Sequence, residues 1–209
     1  TEIGRDNRFY PFSSIGDDPQ DKKYANAPTK LVIGDRNTFR EYCTVTRGTV
    51  QDQGVTRIGS DNWIMSYVHI AHDCVVGDHC ILANNATLAG HVKVGDWAIM
   101  GGYAGIHQFC QIGAHAFLGM FAAIGKDVPA YVMVMGSPAA ARGINAEGLK
   151  RRDFTPEQVR NIKAAYKVVY REGLRLEEAL EKLRRLAPGQ PEIVPMLESI
   201  ERSERSIVR

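Results

Sequence analysis

Residues 58–124 divide into groups of six: IGSDNW IMSYVH IAHDCV VGDHCI LANNAT LAGHVK VGDWAI MGGYAG IHQFCQ IGAHAF LGMFAA I. Each of the eleven groups, and the residue after the last, begins with an aliphatic residue or Met, which chance does not explain. A period of six matches neither the helical period of about 3.6 nor the strand period of about 2. It indicates short strands joined by turns, each with one inward apolar side chain.

A longer period of 18 residues is superimposed on the first, because Ile58-Gly59, Val76-Gly77, Val94-Gly95 and Ile112-Gly113 repeat at that spacing. Three hexads therefore complete one circuit of a triangular coil. Circuits of such solenoids stack at a strand spacing of about 4.8 Å. The pattern predicts an all-β solenoid, the parallel β-helix of hexapeptide repeats, over residues 1–137. Hexad character is lost near 17–30 and 46–57, which predicts two excursion loops.

Residues 138–209 lose the period of six and are predicted to form an α-helical domain. Thr155 to Gln158 read as an N-cap, a first-turn Pro and a capping-box Gln. Further helices are expected around Leu176 to Leu186 and Ile193 to Arg202. From Arg142 to Arg185 there are 12 Lys or Arg against 7 Asp or Glu, which is either a solvated basic face or a docking site for an acidic partner.

The composition excludes several classes of protein. With 26 Lys and Arg against 24 Asp and Glu among 209 residues, the chain lacks the basic excess of a nucleic-acid binder. No apolar run approaches the ~20 residues of a transmembrane span, and the start does not resemble a signal peptide. Since the first residue is Thr1 and not Met, and it already falls inside the pattern, we expect an N-terminal segment to precede it. The four cysteines occupy small core positions, which favours a reducing compartment, hence the cytoplasm.

The 18-residue period brings histidines together. His72 is predicted to stack under Gly90 and then Gln108, while Asp73 stacks under His91. One edge of three successive coils thus collects imidazoles, a carboxylate and an unobstructed Gly N–H. This combination suits general-base chemistry, in which an imidazole takes a proton from a hydroxyl and the N–H stabilises an oxyanion.

Four segments of the sequence carry a resemblance to a known family: His69 to Cys74, Cys80 to His91, His107 to Cys110 and Gly143 to Arg152. In these segments the sequence closely resembles the UDP-N-acetylglucosamine acyltransferase family. The resemblance covers nearly the whole chain. It implies left-handed winding and a homotrimer with active sites between neighbouring chains. The implied reaction moves a (3R)-3-hydroxyacyl chain from acyl carrier protein to the 3-hydroxyl of UDP-N-acetylglucosamine, the first step of lipid A biosynthesis. No metal and no bound cofactor are implied, because the phosphopantetheine of the carrier protein holds the acyl group.

The resemblance also implies roles for individual residues. His72 matches the catalytic base, Asp73 a residue that supports it, and Gly90 the oxyanion donor. Met120 matches the acyl-chain ruler and predicts a medium chain near 3-hydroxydecanoyl, since a Met side chain fills space that a longer chain needs. The substrate-binding positions are matched by His69, His91, His107, Gln20, Asp21, Lys23, Gln108, Asn145, Glu147 and Arg151.

Four alternatives stay open at this point. Thr46 stands where many members of the family have His, so the acceptor sugar could carry a 3-amino group. The N-acyltransferase of the same pathway has similar hexads. A hexapeptide-repeat zinc carbonic anhydrase would use histidines such as His69, His72 and His91 as ligands. In a non-catalytic scaffold the histidines would be incidental.

Overall fold

A computed structural model describes all 209 residues and consists of a triangular coil followed by a small helical region. The strands are β1 Glu2–Ile3, β2 Arg8–Phe9, β3 Ser14–Asp17, β4 Lys30–Ile33, β5 Thr38–Phe39, β6 Thr44–Thr46, β7 Val55–Ile58, β8 Trp63–Ile64, β9 His69–Ile70, β10 Val75–Val76, β11 Ile81–Leu82, β12 Thr87–Leu88, β13 Lys93–Val94, β14 Ile99–Met100, β15 Gly105–Ile106, β16 Gln111–Ile112, β17 Phe117–Leu118, β18 Ala123–Ile124, β19 Val132–Met135 and β20 Ala140–Ile144. The helices are α1 Ala146–Lys150, α2 Pro156–Tyr170, α3 Leu176–Leu186 and α4 Val194–Glu201.

The strands form three sheets, one for each wall of the coil. Sheet 1 has the order β1-β4-β7-β10-β13-β16, sheet 2 the order β2-β5-β8-β11-β14-β17-β19-β20, and sheet 3 the order β18-β15-β12-β9-β6-β3. From β7 to β18, neighbouring strands are parallel and in register at a separation of 18 residues, as in the pairs Val76 with Val94 and Leu88 with Ile106. The predicted coil of parallel strands is confirmed.

The core of the coil is a stack of the residues that begin the hexads. Ile64, Ile70, Leu82, Leu88 and Leu118 have no exposed surface. Each is worth about 1.5–3 kcal/mol of transfer free energy relative to an exposed side chain. The four cysteines are buried and unbonded, as the sequence predicts. Apolar burial on the inner face of each two-residue strand therefore fixes the register.

The corners are sharp because one residue in each adopts a left-handed backbone. Asp73 has φ 59° and His91 has φ 64°, a conformation that costs an L-residue about 1–2 kcal/mol. Contacts between coils offset this cost. The His91 N–H donates to the His72 carbonyl at 3.0 Å, and the His91 ring stacks on Phe109 at 4.4 Å between centroids.

Both excursion loops leave the coil at the same corner. The segment 18–29 joins β3 of sheet 3 to β4 of sheet 1, and the segment 47–54 joins β6 of sheet 3 to β7 of sheet 1. We call the corner between sheets 3 and 1, at residues 71–73, 89–91 and 107–109, the histidine edge. The loops therefore project over this edge and not over the other two.

The coil ends differently from the boundary expected at residue 137. Strand β20 folds back antiparallel to β19 and extends sheet 2, so the first helix begins only at Ala146. The capping box at Thr155 opens α2 as predicted, and Gln158 accepts from the Thr155 N–H at 2.8 Å. None of the four helices combines the length and apolar character that crossing a bilayer requires.

Candidate active site

The histidine edge brings His72 and Gly90 into contact. A Cβ built on Gly90 would lie 2.6 Å from His72 Cε1 and 2.8 Å from His72 Nε2, so the ring can take this position only because residue 90 has no side chain. The Gly90 N–H has no acceptor within the chain. A base and an unpaired backbone donor therefore share one edge of two successive coils, as the 18-residue period predicts.

Asp73 orients the His72 imidazole. His72 Nδ1 lies 3.0 Å from Asp73 Oδ2, and the Asp73 side chain is only 1% exposed. A carboxylate can only accept hydrogen bonds, so His72 carries its proton on Nδ1 and presents a bare Nε2. This is the tautomer that a general base needs.

The Asp73 carboxylate is in turn held by the second excursion loop. The Thr49 N–H lies 3.0 Å from both carboxylate oxygens, and the Thr49 hydroxyl donates to Oδ2 at 2.6 Å. Burial on its own would raise the pKa of Asp73, but the hydrogen bonds from His72 and Thr49 outweigh burial and lower this pKa below its ordinary value. Asp73 is thus an ionised partner, suited to stabilise an imidazolium beside it.

A second carboxylate–imidazole pair lies beside the first. His91 Nδ1 is 2.9 Å from Asp52 Oδ2, and the His91 ring meets the His72 ring edge-on at 5.0 Å between centroids. Phe109 covers one face of the His91 ring. The plane of this ring is therefore fixed by a carboxylate and by an aromatic ring.

The other two predicted histidines have different surroundings. His69 is half-buried, and its Nδ1 lies 2.6 Å from the Thr44 hydroxyl. Burial, and then the neighbouring His72, lower the pKa of His69, so it is neutral at pH 7. His107 is exposed on the same edge, with Nδ1 3.1 Å from the Gln108 carbonyl.

A pocket of about 910 Å³ lies over the histidine edge. Six residues predicted from the sequence line it: Gln20, Asp21, Lys23, His72, His91 and Gln108. The sequence interpretation missed Lys22, Thr49, Gln51, Asp52, Lys93, Phe109, Gln111 and Glu204, which also line it. For Thr49 and Asp52 a signal was present, because the break in the period at 46–57 follows a sheet 3 strand, like the break at 17–30.

Four other predicted residues lie on different edges of this chain. Met120 is at the corner between sheets 2 and 3, with 62% of its surface exposed. Asn145 is buried at the corner between sheets 1 and 2, where it accepts from the Gly148 N–H at 3.1 Å and caps α1. Glu147 lies on this helix and pairs with Lys150, and Arg151 is the first residue after the helix. A single chain therefore does not bring these residues to His72.

His115 anchors the helical region at the corner that holds Asn145. Its carbonyl accepts from the Asn145 side chain at 3.0 Å, and its Nδ1 lies 3.1 Å from Arg152. Burial, and then the Arg152 charge, lower the pKa of His115 from 6.5 to about 4. The ring is therefore neutral at pH 7 and accepts a hydrogen bond from the guanidinium.

A metal ion fits this site poorly. His72, Asp73 and His91 have candidate ligand atoms within 4.8 Å of one another. However, the buried Asp73 carboxylate already accepts from Thr49 and His72, so only the two imidazole Nε2 atoms are left as ligands, fewer than the three protein ligands of a catalytic zinc site. The geometry suits proton transfer better than coordination.

Comparison with known proteins finds acyltransferases similar to this chain. A family model described as Udp N-acetylglucosamine O-acyltransferase, Domain 2, matches residues 127–208, and a bacterial transferase hexapeptide model matches residues 56–90. The acyl-[acyl-carrier-protein]–UDP-N-acetylglucosamine O-acyltransferase of Verminephrobacter eiseniae is 55% identical over 92% of this chain and 73% of its own length. The enzyme of that name from Stutzerimonas stutzeri is 56% identical over 100% and 81%. The crystal structure of UDP-N-acetylglucosamine O-acyltransferase from Moraxella catarrhalis superimposes with a TM-score of 0.97 at 48% identity, over 99% of this chain and 80% of that one.

Proposed function

This chain belongs to the UDP-N-acetylglucosamine O-acyltransferase family, and on that premise we propose that His72 is the base of its reaction. The enzyme transfers an acyl chain from acyl carrier protein to UDP-N-acetylglucosamine, the first step of lipid A biosynthesis. The observation that carries the proposal is the contact of His72 with both Asp73 and Gly90.

His72 Nε2 accepts the proton of the sugar 3-hydroxyl as the hydroxyl oxygen attacks the thioester carbonyl. The carbonyl oxygen becomes an oxyanion, and the unpaired Gly90 N–H donates to it. When this intermediate collapses, the carbon–sulfur bond breaks, the ester is formed, and the departing thiolate takes the proton from the His72 imidazolium. A general base contributes about 10²–10⁴-fold and one oxyanion donor about 10²–10³-fold.

Asp73 supports both halves of this cycle. It holds His72 in the tautomer with Nδ1–H and lowers the free energy of the imidazolium. Because Asp73 is buried and remains ionised, its charge acts over 3.0 Å with little screening by water. Gln20, Asp21, Lys23, His91 and Gln108 line the same pocket and are assigned to substrate binding.

The complete site is assembled by a homotrimer of left-handed coils. Met120, Asn145, Glu147 and Arg151 lie on other edges of the chain than His72, so only a neighbouring copy brings them to this pocket. His69, on strand β9, and His107, on the histidine edge, are assigned to the support of the pocket.

Met120 limits the length of the acyl chain. Its exposed side chain is free to enter a groove between two copies, where it would occupy the space of several methylenes. Each methylene left unburied costs about 0.8 kcal/mol. We expect a preference near 3-hydroxydecanoyl.

The acyl carrier protein, an acidic partner, is assigned to the exposed basic stripe of α2. Arg160, Lys163 and Lys167 are exposed on this helix at spacings that place them on one face, and none forms an ion pair within the chain. Charges of this kind accelerate encounter more than they tighten the complex. Such an encounter is expected in the cytoplasm, where the four thiols stay reduced.

The test is incubation with UDP-N-acetylglucosamine and a series of (3R)-3-hydroxyacyl carrier proteins, followed by product mass. We expect an O-acylated sugar nucleotide, and a fall of about 10²–10⁴-fold in kcat for His72→Ala. His79→Ala, which changes a histidine on another edge, is the control. Unchanged turnover in His72→Ala would overturn the proposed base. Faster transfer to the 3-amino sugar would reassign the acceptor, and activity that depends on stoichiometric zinc would reassign the chemistry.

A further inference from the structure

The proposed reaction accounts for the Asp73–His72 pair but assigns nothing to Asp52. Asp52 lies at the tip of the loop 47–54, with its side chain 40% exposed, and its only side-chain hydrogen bond in the chain is to His91 Nδ1 at 2.9 Å. Core packing therefore does not explain why a carboxylate occupies this position.

The backbone of the loop 47–54 forms a turn that places the Asp52 carboxylate beside His91. The Asp52 and Gly54 N–H groups donate to the Thr49 carbonyl at 3.3 and 3.0 Å, which closes a turn around Asp52. Thr49 is itself bonded to the buried Asp73. One loop therefore contacts both histidines of the site. It reaches His72 indirectly, through Thr49 and Asp73, and it reaches His91 directly, through Asp52.

The consequence for His91 is a defined proton position. A free neutral imidazole populates both tautomers, whereas a carboxylate on Nδ1 accepts only from Nδ1–H. Phe109 stacks on the ring at 10° between planes and prevents it from turning. His91 therefore presents an Nε2 lone pair into the pocket that His72 also faces.

We propose that Asp52 is a positioning residue, which fixes the tautomer and ring plane of His91 so that its Nε2 accepts a hydrogen bond from bound substrate. The inference rests on the proposed function, since it takes His91 to be a substrate contact. Because His91 binds substrate and does not carry the transferred proton, loss of Asp52 raises KM for the sugar nucleotide and leaves kcat close to that of the unmodified enzyme.

The first measurement is independent of activity. In enzyme labelled with ¹⁵N-histidine, long-range ¹⁵N–¹H correlation spectra distinguish the protonated from the bare ring nitrogen, and His91→Gln identifies the signals. We expect protonated Nδ1 in the unmodified enzyme and a shift toward protonated Nε2 in Asp52→Ala. An unchanged His91 pattern in Asp52→Ala overturns the proposal, whatever the enzyme transfers.

The second measurement is steady-state kinetics. We expect KM to rise about 10-fold in Asp52→Ala, less in Asp52→Asn, which keeps an acceptor without charge, and to recover in part in Asp52→Glu. Gln53→Ala, in the same loop but outside the pocket, is the control and should match the unmodified enzyme. A changed tautomer with unchanged KM also overturns the proposal. If the unmodified enzyme transfers no acyl chain, the proposed function fails while the spectra still report on Asp52.

Discussion

Gly90→Ala should separate catalysis from stability. The added Cβ would lie 2.6 Å from His72 Cε1, whereas carbon atoms in favourable contact are about 3.5 Å apart, so the ring must move by about 1 Å. Such a displacement breaks the 3.0 Å contact with Asp73 and carries Nε2 away from the attacking hydroxyl. Misplacement of a catalytic group by about 1 Å costs about 10²-fold, or roughly 2.7 kcal/mol of activation free energy.

Folding should be nearly unaffected by the same change. Gly90 is not among the glycines with positive φ, so alanine is tolerated by the backbone. The atoms that the new Cβ would meet belong to the His72 side chain, which can rotate. Alanine also reduces the conformational entropy of the unfolded chain, which stabilises the folded state by about 0.4–1 kcal/mol. We expect kcat to fall about 100-fold while the midpoint of thermal unfolding moves by no more than a few degrees.

The assay is single-turnover acyl transfer at saturating sugar nucleotide, with circular dichroism for unfolding. Gly125→Ala is the matched control, since a Cβ there meets nothing within 4 Å and the residue lies above His107 at the histidine edge. Transfer by Gly90→Ala at the rate of the unmodified enzyme would refute the placement of the His72 ring against Gly90 in the working enzyme.

Three further changes test other parts of the argument. Thr49→Val removes the 2.6 Å hydrogen bond to Asp73 and should lower kcat about 10-fold. Thr49→Ser should keep this hydrogen bond and the rate of the unmodified enzyme. Equal rates for the two variants would contradict the role of the hydroxyl. Met120→Gly should shift the preferred acyl chain to longer members in a competition assay, while Met120→Leu should not; an unchanged preference removes the ruler. The pKa of His115 is about 4 in the folded state and 6.5 in the unfolded state, so the His115 imidazole is protonated first in the unfolded chain as pH falls. Between pH 6.5 and 4 the unmodified protein should therefore lose on the order of 1–3 kcal/mol of stability that His115→Gln does not lose. Urea unfolding at pH 7 and pH 5 measures this loss. Equal losses in both proteins would contradict the lowered pKa of His115.

The regular coils were predictable because one physical rule repeats. Apolar burial selects one residue in six, and the strand ladder then places residues 18 apart over one another, so the contact of His72 with Gly90 follows from counting. The Asp73 partner also follows, because it is adjacent in sequence and lies at the corner.

The loops were predictable only as interruptions. Nothing in the spacing of Thr49 or Asp52 indicates that they bond Asp73 and His91, because the path of the loop 47–54 depends on its own turn and on contacts with residues 24 and 39 positions away. The return strand β20 was also missed, since a single antiparallel strand at the end of a coil has no repeat to reveal it. The residues on other edges were found only through the family resemblance.

The constant 18-residue winding also restricts how the gene can change in length. Deletion of six codons between those for Asp73 and Gly90 would keep every remaining hexad intact, and the protein would still fold. However, it would move Gly90 to another corner of the coil, away from His72, and leave a folded but inactive protein. Only the loss or gain of whole circuits, or of residues extruded from a corner as in 47–54, preserves the alignment. Variation in length among active descendants of this gene should therefore be concentrated in such extruded segments.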